Sequence, residues 1–430
     1  LKTWKVIAPS RTRRQFGNIG RYRAITTFLS TSIFLFLKTK IMTTYVFIVG
    51  ATTFKLHLEY LFAGTGAQNN RIDFNNSSNT TLHHTKENML VGMIADAIRV
   101  RSGDQIIFYL QQDFSKKIFE GKFFGIFKAK KDWSFLDNNG SGQYLKNELG
   151  KSLTFRTLIE PEKVYAEGVT EWEALDEIKN LQSPNQMIWS LIYRKLKAKR
   201  GNTMITIYES ERLCQLIRDK NSRQELNIGG HKLSFDQNGQ KIVLTNNNVN
   251  TYNGRREDIN LLPRLAAKYR ANTSFETHLQ AYIVRNIGKG INQSLDDCIL
   301  GENSEFEWLG NEVSCGVGMQ RIDVMVSTTQ NNQRVLLPIE LKSVEADTIN
   351  TKQIQRYIDW IEQYYTPNRQ SDIQPILVSR RINDKSTEKY QKIIDTFNDF
   401  NARNSRRCHS LKHIEYCLEN EDLVFEEINY

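Results

Sequence analysis

Two neighbouring apolar segments, each interrupted by charged residues, constrain the fold of this chain more than any other feature. Apolar side chains alternate with polar ones over residues 321–326, and a continuous apolar stretch occupies 336–339. Alternation and short apolar runs predict β-strands, and the Gln/Asn-rich residues 330–333 between them predict a β-hairpin. Asp323 and Glu340 therefore fall in strands whose other side chains predict burial.

These two acids predict a metal site. A buried carboxylate costs free energy unless a cation compensates it, and carboxylate oxygens suit a hard divalent ion. Glu340 and Lys342 are two residues apart on one strand and so share a face, which Asp323 on the adjacent strand can complete. Two carboxylates beside an ammonium suit metal-dependent hydrolysis of a phosphodiester. The alternative is a purely structural salt-bridge network.

Four motifs, in one order, resemble those of the PD-(D/E)xK nuclease superfamily, and more closely its RecB-like and NucS-like branch. The first is Glu276, on a predicted helix, and the second is Arg-Ile-Asp at 321–323, within a predicted strand. The third is Glu-Leu-Lys at 340–342, and the last is a Gln-x-x-x-Tyr helix from Gln353 to Tyr357. A single short motif is weak, but four in the family's order are much harder to obtain by chance.

The resemblance covers residues 261–430 and implies a restriction-endonuclease-like α/β fold, a mixed sheet with flanking helices. It also implies one or two Mg²⁺ ions, for which Mn²⁺ can substitute. The roles that it implies are metal ligands for Asp323, Glu340 and the Leu341 carbonyl, placement of water for Lys342, assistance for Glu276, and contact with the site or the phosphate for Gln353 and Tyr357.

Some of these residues also have simpler interpretations. Glu276 follows Thr273 and Ser274, which are good N-cap types, so its charge also suits the start of a helix. Gln353 and Tyr357 are four residues apart and share a helical face, as on any amphipathic helix. Further along, the sequence predicts strands near 372–379 and 414–418, with a helix at 385–402 between them.

Residues 42–158 predict a second, mainly β domain, with strands at 45–49, 104–110 and 119–127 and a Ser/Asn/Thr-rich loop at 68–81. The segment 102–109 and the glycines at 121 and 125 resemble the small β-barrels of the PUA and EVE group. That resemblance implies a recognition module that holds a flipped and often modified base. Its aromatic residues are Phe108, Tyr109, Phe123, Phe124, Phe127, Trp133 and Phe135.

Strand alternation assigns most of these aromatics to the core, with Phe123 and Phe127 on one face and Phe124 on the other. Trp133 lies among charged residues at a strand end and is the candidate for base stacking. Residues 159–254 predict a helical segment, then a hairpin with a tight turn at Asn238. Its basic residues, either solvated or in contact with DNA phosphate, are Arg194, Lys195, Lys197, Lys199 and Arg200.

Net charge does not identify a binding surface. The chain has 58 Lys and Arg against 48 Asp and Glu, but ten basic residues precede the first acid, Glu59. The remainder is balanced, so a DNA surface must come from local groups. One is at 194–200, and the other comprises Arg255, Arg256, Arg264, Lys268 and Arg270.

Residues 1–41 form a basic leader with an apolar run at 28–37 that is too short to span a bilayer. It resembles a signal or transit peptide, and translated upstream sequence is the third interpretation. Five scattered cysteines predict a reducing, cytoplasmic location. Two of them lie beside His409 and His413, but that spacing suits scattered residues better than a zinc site.

Together these features predict a Mg²⁺-dependent endonuclease for double-stranded DNA, with domains at 42–158 and 255–430 joined by 159–254 and no membrane segment. A separate base-reading module favours a restriction enzyme whose DNA site can carry a modified base. One alternative is a NucS-like repair nuclease for mismatched or branched DNA, and another is a non-catalytic nucleic-acid-binding protein. Cutting both strands with one site per subunit predicts a homodimer.

Overall fold

The computed structural model describes residues 42–66, 84–137, 142–176, 181–194, 202–301, 304–315, 320–331, 333–367 and 371–430. Several predicted features lie outside these residues. They are the leader at 1–41, the loop at 68–81, and the basic residues from Lys195 to Arg200 with the side chain of Arg194.

Strands and helices are interspersed along the described chain. The strands are β1 (Thr44–Val49), β2 (Phe62–Thr65), β3 (Gln105–Leu110), β4 (Lys122–Ala129), β5 (Phe135–Leu136), β6 (Phe155–Pro161), β7 (Val169–Thr170), β8 (Asn202–Ile205), β9 (His231–Asp236), β10 (Lys241–Asn248), β11 (Glu305–Ser314), β12 (Arg321–Gln330), β13 (Gln333–Leu341), β14 (Ser371–Ile373), β15 (Ile376–Arg380), β16 (Lys412–Glu419) and β17 (Asp422–Ile428). The helices are α1 (Ala51–Tyr60), α2 (His84–Ile98), α3 (Lys146–Leu149), α4 (Trp189–Arg194), α5 (Ile207–Lys220), α6 (Leu262–Arg270), α7 (Glu276–Asn286), α8 (Gln293–Leu300), α9 (Asn350–Trp360) and α10 (Glu388–Asn404).

The first sheet is a curled half-barrel with the strand order β2-β6-β4-β3-β1-β8, to which β5 and β7 add at β6 and β4. Its strands are rich in β-branched and aromatic residues, which favour a pleated and buried surface. The sheet is mixed, since β1 pairs in parallel with β3 and antiparallel with β8. The predicted barrel therefore takes the form of a half-barrel.

The second sheet has the order β11-β12-β13-β15-β16-β17, with β14 beside β13. Its first three strands are antiparallel, whereas β13, β15 and β16 run parallel. Parallel strands need crossover helices, which α9 and α10 provide. Apolar residues of α7 and α9 are buried in the clusters that cover the sheet. The predicted mixed α/β class with flanking helices is confirmed.

One core cluster contains residues of both sheets, including Phe108 of β3 and Met325 of β12. Within the first sheet, Phe108, Tyr109, Phe123, Phe124 and Phe127 are all buried, as predicted. The predicted faces are wrong, however. Phe127 belongs to the cluster of Phe124, and Phe123 to another. The pairing of β3 with β4 shifts register between Ile106 and Phe108, and such a bulge moves the following side chains to the other face.

The middle segment differs from its prediction in two respects. It contains α4 and α5 as expected, but also β7 and β8, which join the first sheet. Pairing with a distant strand decided this structure, which local periodicity cannot show. The predicted hairpin exists as β9 and β10, but its tight Asn-Gly turn is wrong. Residues 237–240 connect the strands, and the Asp236 carboxylate accepts from the Asn238 and Gly239 amides at 3.0 and 3.2 Å.

Helix α2 packs against α7 and ties the first sheet to the second. The Glu87 carboxylate of α2 accepts two hydrogen bonds from the Arg264 guanidinium, at 2.7 and 2.8 Å, and lies 2.9 Å from His278 Nε2. Burial opposes the charge of Glu87, but these hydrogen bonds outweigh it and lower the pKa of that carboxyl well below its usual range. None of the described helices has the length and apolar character that crossing a membrane requires.

His57 on α1 is a buried histidine within aromatic side chains, 1% exposed, and neither ring nitrogen has a hydrogen-bond partner among the described residues. Its ring contacts Phe62 edge-on and stacks on Phe108. Burial, and then the charges of Arg156 and Lys151, lower the pKa of His57 from 6.5 to about 3. The folded protein therefore excludes a proton that the unfolded chain accepts.

We expect the free energy of unfolding to fall as the pH drops from 6.5 towards about 3, because only the unfolded state protonates His57. Between pH 7 and pH 5 the free energy of unfolding, measured with urea, should fall by about 2 kcal/mol less in the His57→Leu variant than in the wild type. The exposed histidine variant His231→Leu is the control and should keep the wild-type dependence. An unchanged slope in His57→Leu would contradict the expectation.

Candidate active site

Asp323 and Glu340 lie opposite each other on β12 and β13. The pairing of Val324 with Ile339 sets the register, and the next position places the two acids side by side on one face of the sheet. Glu340 is 1% exposed and Asp323 is half-buried. The Leu341 amide donates to Asp323 Oδ2 at 2.9 Å, which fixes one carboxylate oxygen.

Lys342 extends from the same face as Glu340, as the spacing predicts. Its ammonium lies 2.5 Å from Glu340 Oε1, and its side chain is 17% exposed. The main chain of Lys342 is held on both sides. Its amide donates to the Val378 carbonyl at 2.8 Å, and its carbonyl accepts from the Tyr416 hydroxyl at 3.0 Å. The ammonium is therefore fixed at the border between the buried sheet and solvent.

Helix α9 covers this face of the sheet. The Tyr357 hydroxyl donates a short hydrogen bond to Glu340 Oε2, and Tyr357 is 4% exposed. Both oxygens of Glu340 are therefore occupied, one by Tyr357 and the other by Lys342. Gln353 lies one helical turn before Tyr357 and is half-buried. The structure thus brings the Gln-x-x-x-Tyr helix against the Glu-Leu-Lys strand.

Helix α7 approaches the same strand ends from the other side. It begins at Glu276, with Phe275 at the N-cap and no side-chain cap, so the predicted N-cap at Thr273 or Ser274 is wrong. The Thr273 hydroxyl instead donates to the Lys268 carbonyl. Glu276 is exposed, and one of its oxygens accepts from the Ser343 amide at 3.5 Å. It therefore lies at the edge of the site.

The negative charges of Asp323 and Glu340 are only partly compensated by the positive charge of Lys342. Burial, and then the charge of Glu340, raise the pKa of Asp323 well above its ordinary value. Burial lowers the pKa of Lys342, but the nearby carboxylates more than compensate and raise it overall, so its ammonium stays charged. Burial and the charge of Glu340 also raise the pKa of Tyr357, which therefore remains a donor. One ammonium faces two acids, which leaves the charge of one carboxylate to be balanced by a proton or by another cation.

The donor set fits a hard divalent ion in part. Asp323 and Glu340 supply two carboxylates, but no three His, Cys, Asp or Glu side chains are grouped as metal ligands anywhere in the described ranges. Mg²⁺ commonly takes one or two protein carboxylates and completes its shell with water and substrate phosphate oxygens. The two acids are sufficient for that mode. A role for the Leu341 carbonyl stays a prediction.

The residues predicted to contact DNA are less favourably placed. The Trp133 indole donates to the Arg285 carbonyl at 3.3 Å, and the Arg285 guanidinium lies 4.5 Å from the centre of its ring. That ring is therefore already stacked. In the second basic group, Arg264 pairs with Glu87, Arg270 pairs with Glu421, and Lys268 is buried. Two of the five members of that group are therefore paired with acids within the protein.

Sequence reasoning missed two buried polar residues beside the site. The Gln280 amide of α7 donates to the Asp323 carbonyl at 2.8 Å, and Asn311 of β11 lies behind it with its side chain fully buried. Gln280 follows Glu276 by one helical turn, so its position on the same helical face was a usable signal. Asn311 follows Leu309 and Gly310 in a strand, and nothing in that pattern indicated a contact with the site.

Comparisons with known proteins do not establish a family. No protein-family model matches the chain, and no curated protein matches it. Among solved structures, the crystal structure of the human THYN1 protein in complex with DNA that contains 5-methylcytosine is similar over 40% of this chain and 97% of that one. The sequence identity is 7% and the TM-score is 0.22, an overlap too low to establish a shared fold.

We expect Tyr357→Phe to lower the free energy of unfolding by about 1 to 3 kcal/mol, because it leaves a buried oxygen of Glu340 without its donor. Urea unfolding measures the change. The matched control is Tyr364→Phe, at a tyrosine that is 39% exposed and lies just beyond α9. That control should change stability by less than about 0.5 kcal/mol. Equal effects of the two substitutions would contradict the role of the Glu340 contact.

Proposed function

We propose that this protein is a metal-dependent endonuclease that hydrolyses phosphodiester bonds in duplex DNA. One observation carries the proposal: two carboxylates face each other across β12 and β13, with the Lys342 ammonium 2.5 Å from Glu340. Buried acids in excess of their compensating cation suit a divalent ion, and a charged lysine at the rim suits an anionic substrate.

In this proposal the chain's own residues hold and orient the reactants. A bound Mg²⁺ supplies Lewis acidity and offsets the charge that develops on the phosphate oxygens. Asp323 and Glu340 hold the ion, and Tyr357 fixes the orientation of Glu340 through its hydrogen bond. Lys342 keeps its proton and donates to the attacking water or to a phosphate oxygen. Gln353, which is half-buried on α9, contacts the phosphate in this proposal.

The Lys342→Ala variant should lose about a hundredfold to a thousandfold of the nicking rate on supercoiled plasmid with Mg²⁺, because a donor to the developing charge is removed. Wild-type activity should vanish in EDTA. The matched control is Lys352→Ala, at an exposed lysine on α9, which should cut like the wild type. Cleavage that persists in EDTA, or a Lys342→Ala variant that nicks at the wild-type rate, would refute the proposed chemistry.

A second candidate is a nucleic-acid-binding protein with a nuclease-like fold and no activity. Two observations favour it: the described residues contain no three-ligand metal cluster, and both oxygens of Glu340 already have partners. The plasmid assay separates the two candidates. No cleavage with either Mg²⁺ or Mn²⁺, together with retention of DNA on the protein, would establish the binding role.

The finer proposal is a restriction-type enzyme that acts as a dimer, with the first domain reading a base that can be modified. It rests on the resemblance of residues 102–125 to base-holding PUA and EVE barrels. The rival is a NucS-like repair nuclease. We expect blunt cleavage of both strands at one defined sequence, measured on oligonucleotide duplexes with and without base modification. Preferential cutting of mismatched or branched duplexes, whatever their sequence, would instead establish the repair role.

A further inference from the structure

A continuous buried set of polar side chains connects the first sheet to the candidate active site. It begins at Arg99, which follows α2 and is fully buried. The Arg99 guanidinium lies 3.0 Å from Asp96 Oδ1 and donates to the Asn202 side chain at 2.9 Å. It also donates a short hydrogen bond to Asn311 Oδ1, on β11 of the second sheet. The Tyr45 ring of β1 packs against the guanidinium.

The set continues from Asn311 towards Asp323. The Asn311 amide group donates to Gln280 Oε1 at 3.4 Å, and the Gln280 amide group donates to the Asp323 carbonyl at 2.8 Å. Asn311 is 0% and Gln280 is 5% exposed. A buried amide that rotates away leaves donors and acceptors unpaired, which costs free energy. Each side chain therefore holds the next one in a single orientation.

Asp323 has a particular need for such a contact. The regular pairing of β12 with β11 includes Ile322 and Val324 but not Asp323. The residue opposite Asp323 on β11 is Glu312, whose backbone has a φ of 47°. On the other side, the pairing of β12 with β13 begins only at Val324. The peptide that carries this acid is therefore not held by the regular ladder of either neighbour. Gln280 supplies a hydrogen bond at the position that the sheet leaves irregular.

We propose that Gln280 is a positioning residue for the metal-binding acid. It holds the Asp323 peptide, and so the direction of the carboxylate, at a place that Asn311 and Arg99 fix from the first sheet. The binding domain and the cutting site are thereby joined by a rigid polar connection. This inference rests on the proposed function, because it concerns the same site.

The test compares Gln280→Met with Trp308→Phe. Methionine keeps the length of the side chain and removes both amide contacts. Trp308 is a matched control, because it is fully buried on the same strand as Asn311. Its indole donates to the Ile205 carbonyl at 3.0 Å and so also joins the two sheets, whereas across the sheet it pairs with Ser327 of β12. Mn²⁺ affinity is measured by titration calorimetry without DNA, and kcat and KM for cleavage are measured separately.

We expect Gln280→Met to bind Mn²⁺ about tenfold more weakly and to lower kcat with the KM for DNA unchanged, as for other residues that orient metal ligands. Trp308→Phe should lose stability but keep the wild-type Mn²⁺ affinity. Asn311→Leu should lose part of the same Mn²⁺ affinity. The double variant Gln280→Met/Asn311→Leu should bind Mn²⁺ no more weakly than Gln280→Met alone, because both residues act through one connection.

Equal Mn²⁺ affinities in folded Gln280→Met and Trp308→Phe would overturn the inference while leaving the proposed function intact. Should Gln280→Met fail to fold, Gln280→Asn replaces it, since the shorter amide cannot reach Asn311 and Asp323 together. A wild-type protein that binds no Mn²⁺ and cuts no DNA would instead reject the proposed function, and this inference with it.

Discussion

The opposition of Asp323 and Glu340 across two buried strands is the constraint on which the rest of the site depends. The two carboxylates repel each other, and burial strengthens that repulsion because few water dipoles screen it. Donors stabilise three of the four carboxylate oxygens. The Lys342 ammonium and the Tyr357 hydroxyl contact the two oxygens of Glu340, and the Leu341 amide donates to one oxygen of Asp323. The Lys342 ammonium offsets one of the two carboxylate charges, and burial and the charge that remains raise the pKa of Asp323.

The sequence predicted the part of this arrangement that depends on local geometry. Side chains alternate along a strand, so the spacing of Glu340 and Lys342 placed them on one face. The pairing of Gln330 with Gln333 sets the register of the two antiparallel strands and so brings Asp323 opposite Glu340. The resemblance to nuclease motifs pointed to Tyr357, but only the packing of α9 on the sheet shows that its hydroxyl reaches Glu340.

The features that were missed depend on contacts between distant parts of the chain. Gln280 and Asn311 are ordinary residues in their local patterns, and their partners lie far away in sequence. The bulge that turns Phe127 to the other face arises from the pairing of β4 with β3. Trp133 looked accessible from its charged neighbours, yet Arg285 of α7 covers its ring. The periodicity of apolar residues describes one helix or strand at a time and contains no information about contacts between residues that are distant in sequence.

The position of β8 affects any attempt to exchange the first domain between proteins. Residues 202–205 lie well beyond the compositional boundary near 158, yet they form the edge strand beside β1. A graft that ended at that boundary would expose the backbone hydrogen-bonding groups of β1 together with the apolar side chains of Tyr45 and Phe47. Such an open edge recruits other chains and leads to aggregation. A fragment used for such an exchange must therefore extend through β8. That fragment then includes Ile205, whose carbonyl accepts a hydrogen bond from Trp308 of the second sheet.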